Sequence, residues 1–177
     1  DAIFLTDTDG IITYVNPSFE KIYGYTKEEA IGKTPRILKS GTLSQEYYEK
    51  FWQELLTKKP VNHELVNKSK KNELLYIEAS INPIIDDKDE IIGYLAIERD
   101  ITERKLAEEK NNQLIAIIEA TPEFIGTADI NGNTKYINNS GKKMLGLEPE
   151  SEIKNISIDR FHPDWARKVV FEIGLPT

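Results

Sequence analysis

The stretch Asp100-Ile101-Thr102, followed by the polar run Glu103–Lys110, decides how this chain is organised. It comes directly after Ile91–Ile101, a run that is typical of a strand, and Thr102 is a residue type that often caps helices. We therefore predict that a strand ends here and a helix begins. Everything before this stretch is expected to form one compact domain, and everything after it the start of a second.

The composition is ordinary for a globular chain, with 39% hydrophobic and 30% charged residues among 177. The net charge of −7 argues against nucleic acid or an anionic membrane surface as the main partner. No apolar run approaches the roughly 20 residues that span a bilayer, and no signal-peptide pattern opens the chain. Cysteine is absent, which excludes disulfides, thiolate metal sites and a cysteine nucleophile. We expect a cytoplasmic fragment of a parent protein that could itself be membrane-anchored.

The order of the predicted elements indicates an α+β fold. Residues 2–6 and 11–15 form a predicted hairpin, short helices begin after Asn16 and Thr26, and a longer helix covers 45–58. Apolar residues at helical spacing give that helix a stripe, which consists of Tyr48, Phe51, Trp52, Leu55 and Leu56. Three strands follow, at 61–68, 74–84 and 91–101. This order predicts a five-stranded antiparallel sheet with helices over one face, followed by an exit helix.

A repeat without gaps relates two parts of the chain that lie 122 positions apart. The recurring residues are Asp7, Gly10, Tyr14, Asn16, Lys21, Gly24, Glu28 and Ile31, which return as Asp129, Gly132, Tyr136, Asn138, Lys143, Gly146, Glu150 and Ile153. We predict the same hairpin-and-helix geometry twice. The offset would end the second copy near residue 224, so the part within 122–177 is expected to be poorly ordered or completed by another chain.

These motifs together resemble a PAS domain. The first copy carries the pattern in Asp9-Gly10, Asn16-Pro17, Gly24-Tyr25, Gly32, Ser40-Gly41, Asn82-Pro83-Ile84 and Asp100-Ile101-Thr102. The second copy resembles the N-terminal part of another PAS domain. The resemblance implies two PAS domains, at 1–102 and 122–177, joined by a coiled-coil type linker helix at 103–121. It also implies a sensor, not an enzyme, in a bacterial signalling protein whose downstream output domain is a histidine kinase or a cyclic-dinucleotide enzyme.

A further set of residues in the first copy is similar to flavin-binding, redox-sensing PAS domains. The set is Arg36–Gly41, Trp52, Lys58-Lys59-Pro60 and Leu65–Lys68. This resemblance implies FAD, with Trp52 and Asn67 near the isoalloxazine ring. The guanidinium of Arg36 is a group that can hold a phosphate or ribose. An Asn amide offers a donor and an acceptor to the polar edge of such a ring, and an indole can pack on it.

The same loop resembles that of light-sensing LOV domains, but their adduct-forming cysteine falls on Pro35. A flavin–cysteinyl photocycle is therefore excluded. Plainer interpretations stay open for the other residues: Trp52 as core, Asn67 as a turn residue and Arg36 in a surface ion pair.

No catalytic or metal constellation is found. The long helix has no histidine to ligate a haem, because His63 lies in a strand and His162 precedes Pro163. The acidic residues within 86–90 lack the ligand spacing of a calcium loop and indicate a solvated turn.

The linker helix predicts a parallel homodimer. Residues spaced four, three and four apart give it a coiled-coil seam, which consists of Ala107, Asn111, Leu114 and Ile118. A poorer stripe competes with it, formed by Leu106, Lys110, Gln113 and Ile117, and the helix could instead pack on its own domain. We predict that Asp100, Ile101 and Thr102 relay the signal, with Asp100 paired to Arg99, Arg104 or Lys105. Two other functions remain open, a ligand-free PAS spacer for dimerisation and relay, and a sensor of a small metabolite.

Overall fold

The computed structural model of the chain describes residues 1–148 and 153, and it divides the chain into two compact units after Ala107. Unit 1 contains β1 (Ala2–Thr6), β2 (Ile12–Val15), α1 (Pro17–Tyr23), α2 (Lys27–Ala30), a 3-10 helix (Pro35–Leu38), α3 (Gln45–Leu55), β3 (Val61–Lys68), β4 (Leu74–Ile85) and β5 (Ile91–Asp100). Helix α4 (Thr102–Ala120) crosses the division, and β6 (Gly126–Ala128), β7 (Thr134–Ile137) and α5 (Asn139–Met144) follow.

The sheet of unit 1 has five antiparallel strands in the order β2-β1-β5-β4-β3. The two terminal strands of the domain, β1 and β5, are therefore neighbours at its centre. They approach closely at Gly93, where a Cβ atom would lie 2.4 Å from the carbonyl oxygen of Thr6. The predicted five-stranded antiparallel sheet with helices is confirmed, and each predicted strand lies within one residue of its observed bounds.

Local sequence explains where the short helices begin and end. The Asn16 side chain accepts a hydrogen bond from the N–H of Phe19, and Pro17 occupies the first helical position of α1. Gly24 ends this helix with φ 76°, in the left-handed region that glycine adopts without strain. Helix α2 begins with a reciprocal capping box between Thr26 and Glu29.

Helix α3 is shorter than predicted. It ends at Leu55 instead of Lys58, because the chain turns there and Lys58 takes φ 62°. In this conformation the Lys58 ammonium reaches the carboxylate of Asp89 in the β4–β5 turn, at 2.5 Å. The apolar stripe of the helix is only partly used, since Leu55 is buried but Trp52 and Leu56 are 44% and 65% exposed.

The core of unit 1 lies between the helices and one face of the sheet, which we call the inner face. Alternate residues of the central strands are buried there, as the period of a strand requires. They include Ala2, Phe4, Ile77, Ala79, Ile81, Tyr94, Ala96 and Glu98. Phe19 and Tyr23 from α1 pack against this face, with the ring of Phe19 set edge-on to Phe4 at 5.8 Å.

Unit 2 repeats the opening of unit 1 down to individual hydrogen bonds. Oδ1 of Asp7 accepts from the N–H groups of Asp9 and Ile11, and Oδ1 of Asp129 accepts from Asn131 and Asn133. All three positions are shifted by 122. The predicted repetition of the hairpin geometry is therefore observed.

The expectations for the remainder of the second copy, including His162, fall on residues 149–152 and 154–177 and lie outside the described part of the chain. Within the described part, no helix has the length and apolar content that crossing a lipid bilayer would need.

Candidate functional site

The inner face of the sheet carries one polar cluster, which consists of Tyr23, Asn67 and Glu98. These residues come from α1, β3 and β5, so three separate elements meet there. The Tyr23 hydroxyl donates a hydrogen bond to Oε2 of Glu98. Nδ2 of Asn67 donates to the Tyr23 oxygen at 3.0 Å and lies 3.5 Å from Oε2 of Glu98. A carboxyl group, a phenol and an amide thus share a common hydrogen-bond network.

Burial controls the charge of this cluster. Glu98 is 5% exposed and Tyr23 is fully buried. Burial raises the pKa of Glu98 from 4.5 to about 7, although the hydrogen bond from Tyr23 acts in the opposite direction. Burial also raises the pKa of Tyr23 well above 10, and the neighbouring Glu98 raises it further. Tyr23 is therefore a neutral donor, and Glu98 is a carboxyl group that changes charge near neutral pH.

Asn67, predicted as a cofactor contact, lies on the inner face within this cluster. Its donor group is used internally, whereas Oδ1 makes no hydrogen bond with any residue of 1–148 or 153. The loop after the 3-10 helix runs beside it, because Lys39 pairs with Asn67 in an isolated bridge. The hydroxyl of Ser40 also donates to the Val66 carbonyl oxygen. Asn67 is therefore held in place from both sides.

Trp52 lies at the other end of the inner face. Its ring packs edge-on against Tyr94 of β5, with centroids 5.8 Å apart, and its indole borders Gly10 in the β1–β2 turn. Tyr94 and Glu98 are four residues apart on one strand, roughly 13 Å by the rise of a strand. The structure does not bring Trp52 and Asn67 into contact, and a ligand that touches both must reach from the Tyr94 end of the inner face to the Glu98 end.

Arg36 is exposed on the 3-10 helix, three residues before Lys39. Its guanidinium makes no ion pair or hydrogen bond with any other described residue. The predicted surface ion pair of Arg36 is therefore not seen in this part of the chain. Arg36 lies three residues before Lys39, which pairs with Asn67 in the isolated bridge.

The predicted relay residues lie where β5 passes into α4. The N–H of Ile101 donates to the Tyr76 carbonyl oxygen at 2.9 Å, and Ile101 is buried. Thr102 is the first residue of the helix and not its cap, because its Oγ1 accepts from the Tyr76 N–H at 2.9 Å. Oδ1 of Asp100 takes the capping role and accepts from the Thr102 N–H at 2.8 Å.

The expected ion pair of Asp100 is also different in the structure. Arg99 pairs with Asp1 at 3.1 Å, so its charge is directed away from Asp100. Arg104 and Lys105 both reach Glu64 of β3, at 3.0 and 2.6 Å. Glu64 therefore holds the first turn of α4 to the sheet, a contact that the sequence pattern did not identify.

The two ends of α4 are fixed and its middle is exposed. At the second end, Glu119 accepts from the Tyr136 hydroxyl at 2.6 Å and from the Asn139 N–H at 2.8 Å. Nδ2 of the buried Asn138 lies within 3.3 Å of three carbonyl oxygens, those of Ile118, Thr121 and Glu123. No residue of the helix is buried, and its apolar side chains Leu106, Leu114, Ile115 and Ile117 are 49–64% exposed.

The remaining candidates form no site among the described residues. Nε2 of His63 lies 3.3 Å from Oε2 of Glu54, and the rings of Tyr47 and Phe51 stand edge-on to it. In the acidic turn, Oδ1 of Asp86 accepts from the N–H groups of Lys88 and Glu90. Within 1–148 and 153 no group of three acidic or histidine side chains is close enough to hold a metal ion.

Sequence reasoning missed Tyr23 and Glu98. Neither residue belongs to a recognisable motif, because Tyr23 ends a short helix and Glu98 lies in a strand that is apolar on both faces. The pattern of β5 does contain the signal, because Tyr94, Ala96 and Glu98 alternate in phase. The sequence of β5 does not show which of its two faces is the inner one. The pairing of β5 with β1 and β4 shows it, because Glu98 lies between the buried residues Ala2 and Ala79.

Comparison with known proteins agrees with this architecture. The profile of the PAS domain family matches residues 1–103. The nitrogen fixation regulatory protein of Klebsiella pneumoniae is 33% identical over 127 residues, which is 72% of this chain and 26% of that protein. A blue-light photoreceptor of Listeria innocua is 36% identical over 91 residues, 51% of this chain and 36% of that protein. The chain thus spans about a quarter to a third of the length of these relatives.

A solved structure shows the same fold. The crystal structure of a PAS domain from Colwellia psychrerythraea superposes with a TM-score of 0.54 and 29% identity, and it covers 58% of this chain and 86% of that one. The family profile covers more than half of the chain, and the sheet order and helices of unit 1 agree with it. The chain therefore belongs to the PAS domain family, whose domains are sensory and signal-transduction modules.

Proposed function

We propose that unit 1 binds a flavin, FAD, on the inner face of its sheet and that the redox state of this flavin is relayed through β5 into α4. The observation that carries the proposal is the position of Asn67. Its amide lies on the inner face and leaves Oδ1 without a hydrogen bond among the described residues, so it can accept from a ring N–H. A mainly apolar face with a few fixed polar groups is typical of a cofactor site.

Trp52 and Arg36 would complete the site from opposite sides. The indole of Trp52 is 44% exposed although it packs on Tyr94, so it offers a flat apolar surface to a ring. The guanidinium of Arg36 is exposed on the 3-10 helix and is suited to a phosphate group. A bound flavin would supply the electron-transfer chemistry, and the protein would orient it and adjust its hydrogen bonds.

The relatives support a bound chromophore or redox group. The side chains of a protein do not absorb blue light, so a blue-light photoreceptor with this fold needs a chromophore. The present chain has no cysteine to form an adduct with a flavin. Because adduct chemistry is closed to it, the stimulus that we propose is a redox change in place of light.

The proposed relay uses Asp100, Ile101 and Thr102. Glu98 lies two residues before Asp100 on β5, so a change of hydrogen bonding at the inner face acts on the strand that continues into α4. Transmission requires two arrangements of the helix with different preferences for the two redox states. We propose that α4 links unit 1 to a second, partial PAS domain, that its exposed seam forms a parallel homodimer, and that an output domain follows in the parent protein.

A ligand-free function is the second candidate, and one observation favours it. Tyr23, Asn67 and Glu98 already bond to one another, and Phe19, Tyr23, Leu38 and Leu55 are buried in the core without any ligand. In that case unit 1 would serve as a dimerisation and relay spacer, or its inner face would admit a smaller metabolite.

The absorption spectrum of the purified chain, incubated with FAD and freed of excess cofactor, tests the proposal. We expect the bands of oxidised flavin and a released molecule with the mass of FAD. Replacing Asn67 with Ala should weaken FAD retention at least 10-fold, while Asn62→Ala, on the opposite face of the same strand, should leave it unchanged. A colourless chain, or equal retention by both variants, would contradict the proposal.

A further inference from the structure

The cluster of Tyr23, Asn67 and Glu98 has a property that does not depend on any ligand. Glu98 is a carboxyl group in the interior of a domain, and no lysine, arginine or histidine of residues 1–148 or 153 pairs with it. Its hydrogen bonds are to an uncharged phenol and an uncharged amide, and both go to Oε2. A buried carboxylate without a cation is costly, whereas a neutral carboxylic acid in the same place is not.

The surroundings of Glu98 on every packed element explain why no charge compensates it. The residues that face it are Tyr23 from α1, Asn67 from β3, Ala2 from β1, Ala79 from β4 and Asp100 on its own strand. Of these, only Asp100 is an acidic residue, so a charge on it would have the same sign as a charge on Glu98. His63 lies one strand further away, beyond Ala79, and is directed to Glu54.

The cluster also lies at a mechanical junction. Tyr23 is the last residue of α1, and its carbonyl oxygen accepts a hydrogen bond at 2.8 Å from the N–H of Lys70 in the turn between β3 and β4. Glu98 lies on the central strand β5, two residues before Asp100, whose carboxylate caps α4. The bond between Tyr23 and Glu98 therefore connects the helical layer to the strand that leaves the domain.

We propose that Tyr23, Asn67 and Glu98 form a proton-linked lock, in which α1 and β3 stay packed on β5 while Glu98 is neutral, and the cost of burying the charge left by loss of its proton loosens β5 and the start of α4. The unit would thus respond to pH near neutrality through its own side chains. This inference does not rest on the proposed flavin, because every group in the lock belongs to the chain.

The direction of the pH dependence follows from the raised pKa. Between pH 4.5 and about 7 the folded unit keeps a proton on Glu98 that the unfolded chain has released. The stabilisation is fully present below pH 4.5 and is lost as the pH rises through about 7. The ratio of folded to unfolded unit 1 should therefore fall by roughly two orders of magnitude through this one group.

Hydrogen–deuterium exchange of the purified chain from pH 4.5 to 8, corrected for intrinsic exchange, tests the lock. Protection of peptides covering α1 and β5 in the wild type should decrease with a midpoint near pH 7. Glu98→Gln, which is neutral and similar in shape, should make the profile flat. Glu78→Gln is the control. It removes an exposed carboxylate of β4 that lies beside Arg99 of β5, and it should keep the wild-type profile.

A second variant keeps the test informative if Glu98→Gln does not fold. Tyr23→Phe removes the hydrogen bond that lowers the pKa of Glu98, so the midpoint should move above that of the wild type. The proposal is overturned if the wild type shows no midpoint between pH 4.5 and 8, or if Glu98→Gln keeps it. An absorption spectrum of each sample records whether flavin is present, so failure of the lock and failure of the flavin proposal are distinguished.

Discussion

The N–H of Tyr76 donates a hydrogen bond to Oγ1 of Thr102 at 2.9 Å, and the Tyr76 carbonyl oxygen accepts one from the N–H of Ile101 at 2.9 Å. The first residue of α4 is therefore bonded to β4, a strand that is not its sequence neighbour. If the first turn of α4 rotates, either this hydrogen bond breaks or Tyr76 moves with the helix. The start of α4 is therefore hydrogen-bonded to the sheet of unit 1.

Replacing Thr102 with Val should loosen this attachment. The change keeps the shape of the side chain but leaves the partly buried Tyr76 N–H without its acceptor, which should cost about 1–2 kcal/mol of unfolding free energy. Urea unfolding monitored by circular dichroism measures the loss, and exchange at residues 74–78 locates it. Thr102→Ser retains the hydroxyl and should stay within about 0.5 kcal/mol of wild type. Equal losses in both variants would contradict the role assigned to Oγ1.

Asn138 should be the residue on which the described part of unit 2 depends most. It is fully buried, and its single amide bonds to three carbonyl groups and two N–H groups. Asn138→Ala should therefore destabilise unit 2 by several kcal/mol and remove amide protection from residues 124–141. The adjacent Asn139→Ala changes an exposed side chain and serves as the control. Unchanged protection in Asn138→Ala would refute this assignment.

The hairpin of unit 2 should lose stability in acid. Donation from the backbone and side chain of Asn133, together with Lys135, lowers the pKa of Asp129 to about 2 from 3.8. Because the folded value is the lower one, the stabilisation is present above pH 3.8 and is lost as the pH falls through about 2. The amide NMR signals of Asn131 and Asn133, followed from pH 5 to about pH 1, should titrate with that midpoint. Asp129→Asn should abolish the titration, and a midpoint near 3.8 would exclude the proposed cause.

Leu114 should decide the oligomeric state if α4 forms the proposed coiled coil. It lies on the predicted seam and is 49% exposed in the single chain, so a partner helix can cover it. Leu114→Glu should convert a dimer into a monomer in analytical ultracentrifugation. Ile117→Glu introduces the same charge on the competing stripe and should leave the dimer intact. A monomeric wild type, or monomers in the second variant, would argue against this seam.

Much of the fold could be predicted from local sequence, because its signals are local. Asn16-Pro17 and Gly24 fix both ends of α1, and the turn residues fix the ends of the strands. The end of α3 was missed because Leu56 and Lys58 continue a helical pattern, and only their contacts show the turn.

The site was less accessible to prediction. Asn67 was identified through family resemblance, and the structure places it on the inner face. Its partners Tyr23 and Glu98 lie 44 and 31 residues away in sequence, and only the sheet register unites them. For the same reason the pairing of Asp100 was wrong: the basic residues beside it are drawn to Glu64 and Asp1, which are near in space and remote in sequence.

The central claim is that the state of the inner face reaches α4 through residues 100–102. Hydrogen–deuterium exchange of residues 98–107 tests it most directly, measured on the FAD-loaded chain in air and after reduction under anaerobic conditions. The account predicts that exchange in this segment changes with reduction in the wild type and that Asp100→Ala, which lacks the cap on Thr102, shows no such change. Identical exchange of the wild type in both redox states would contradict it.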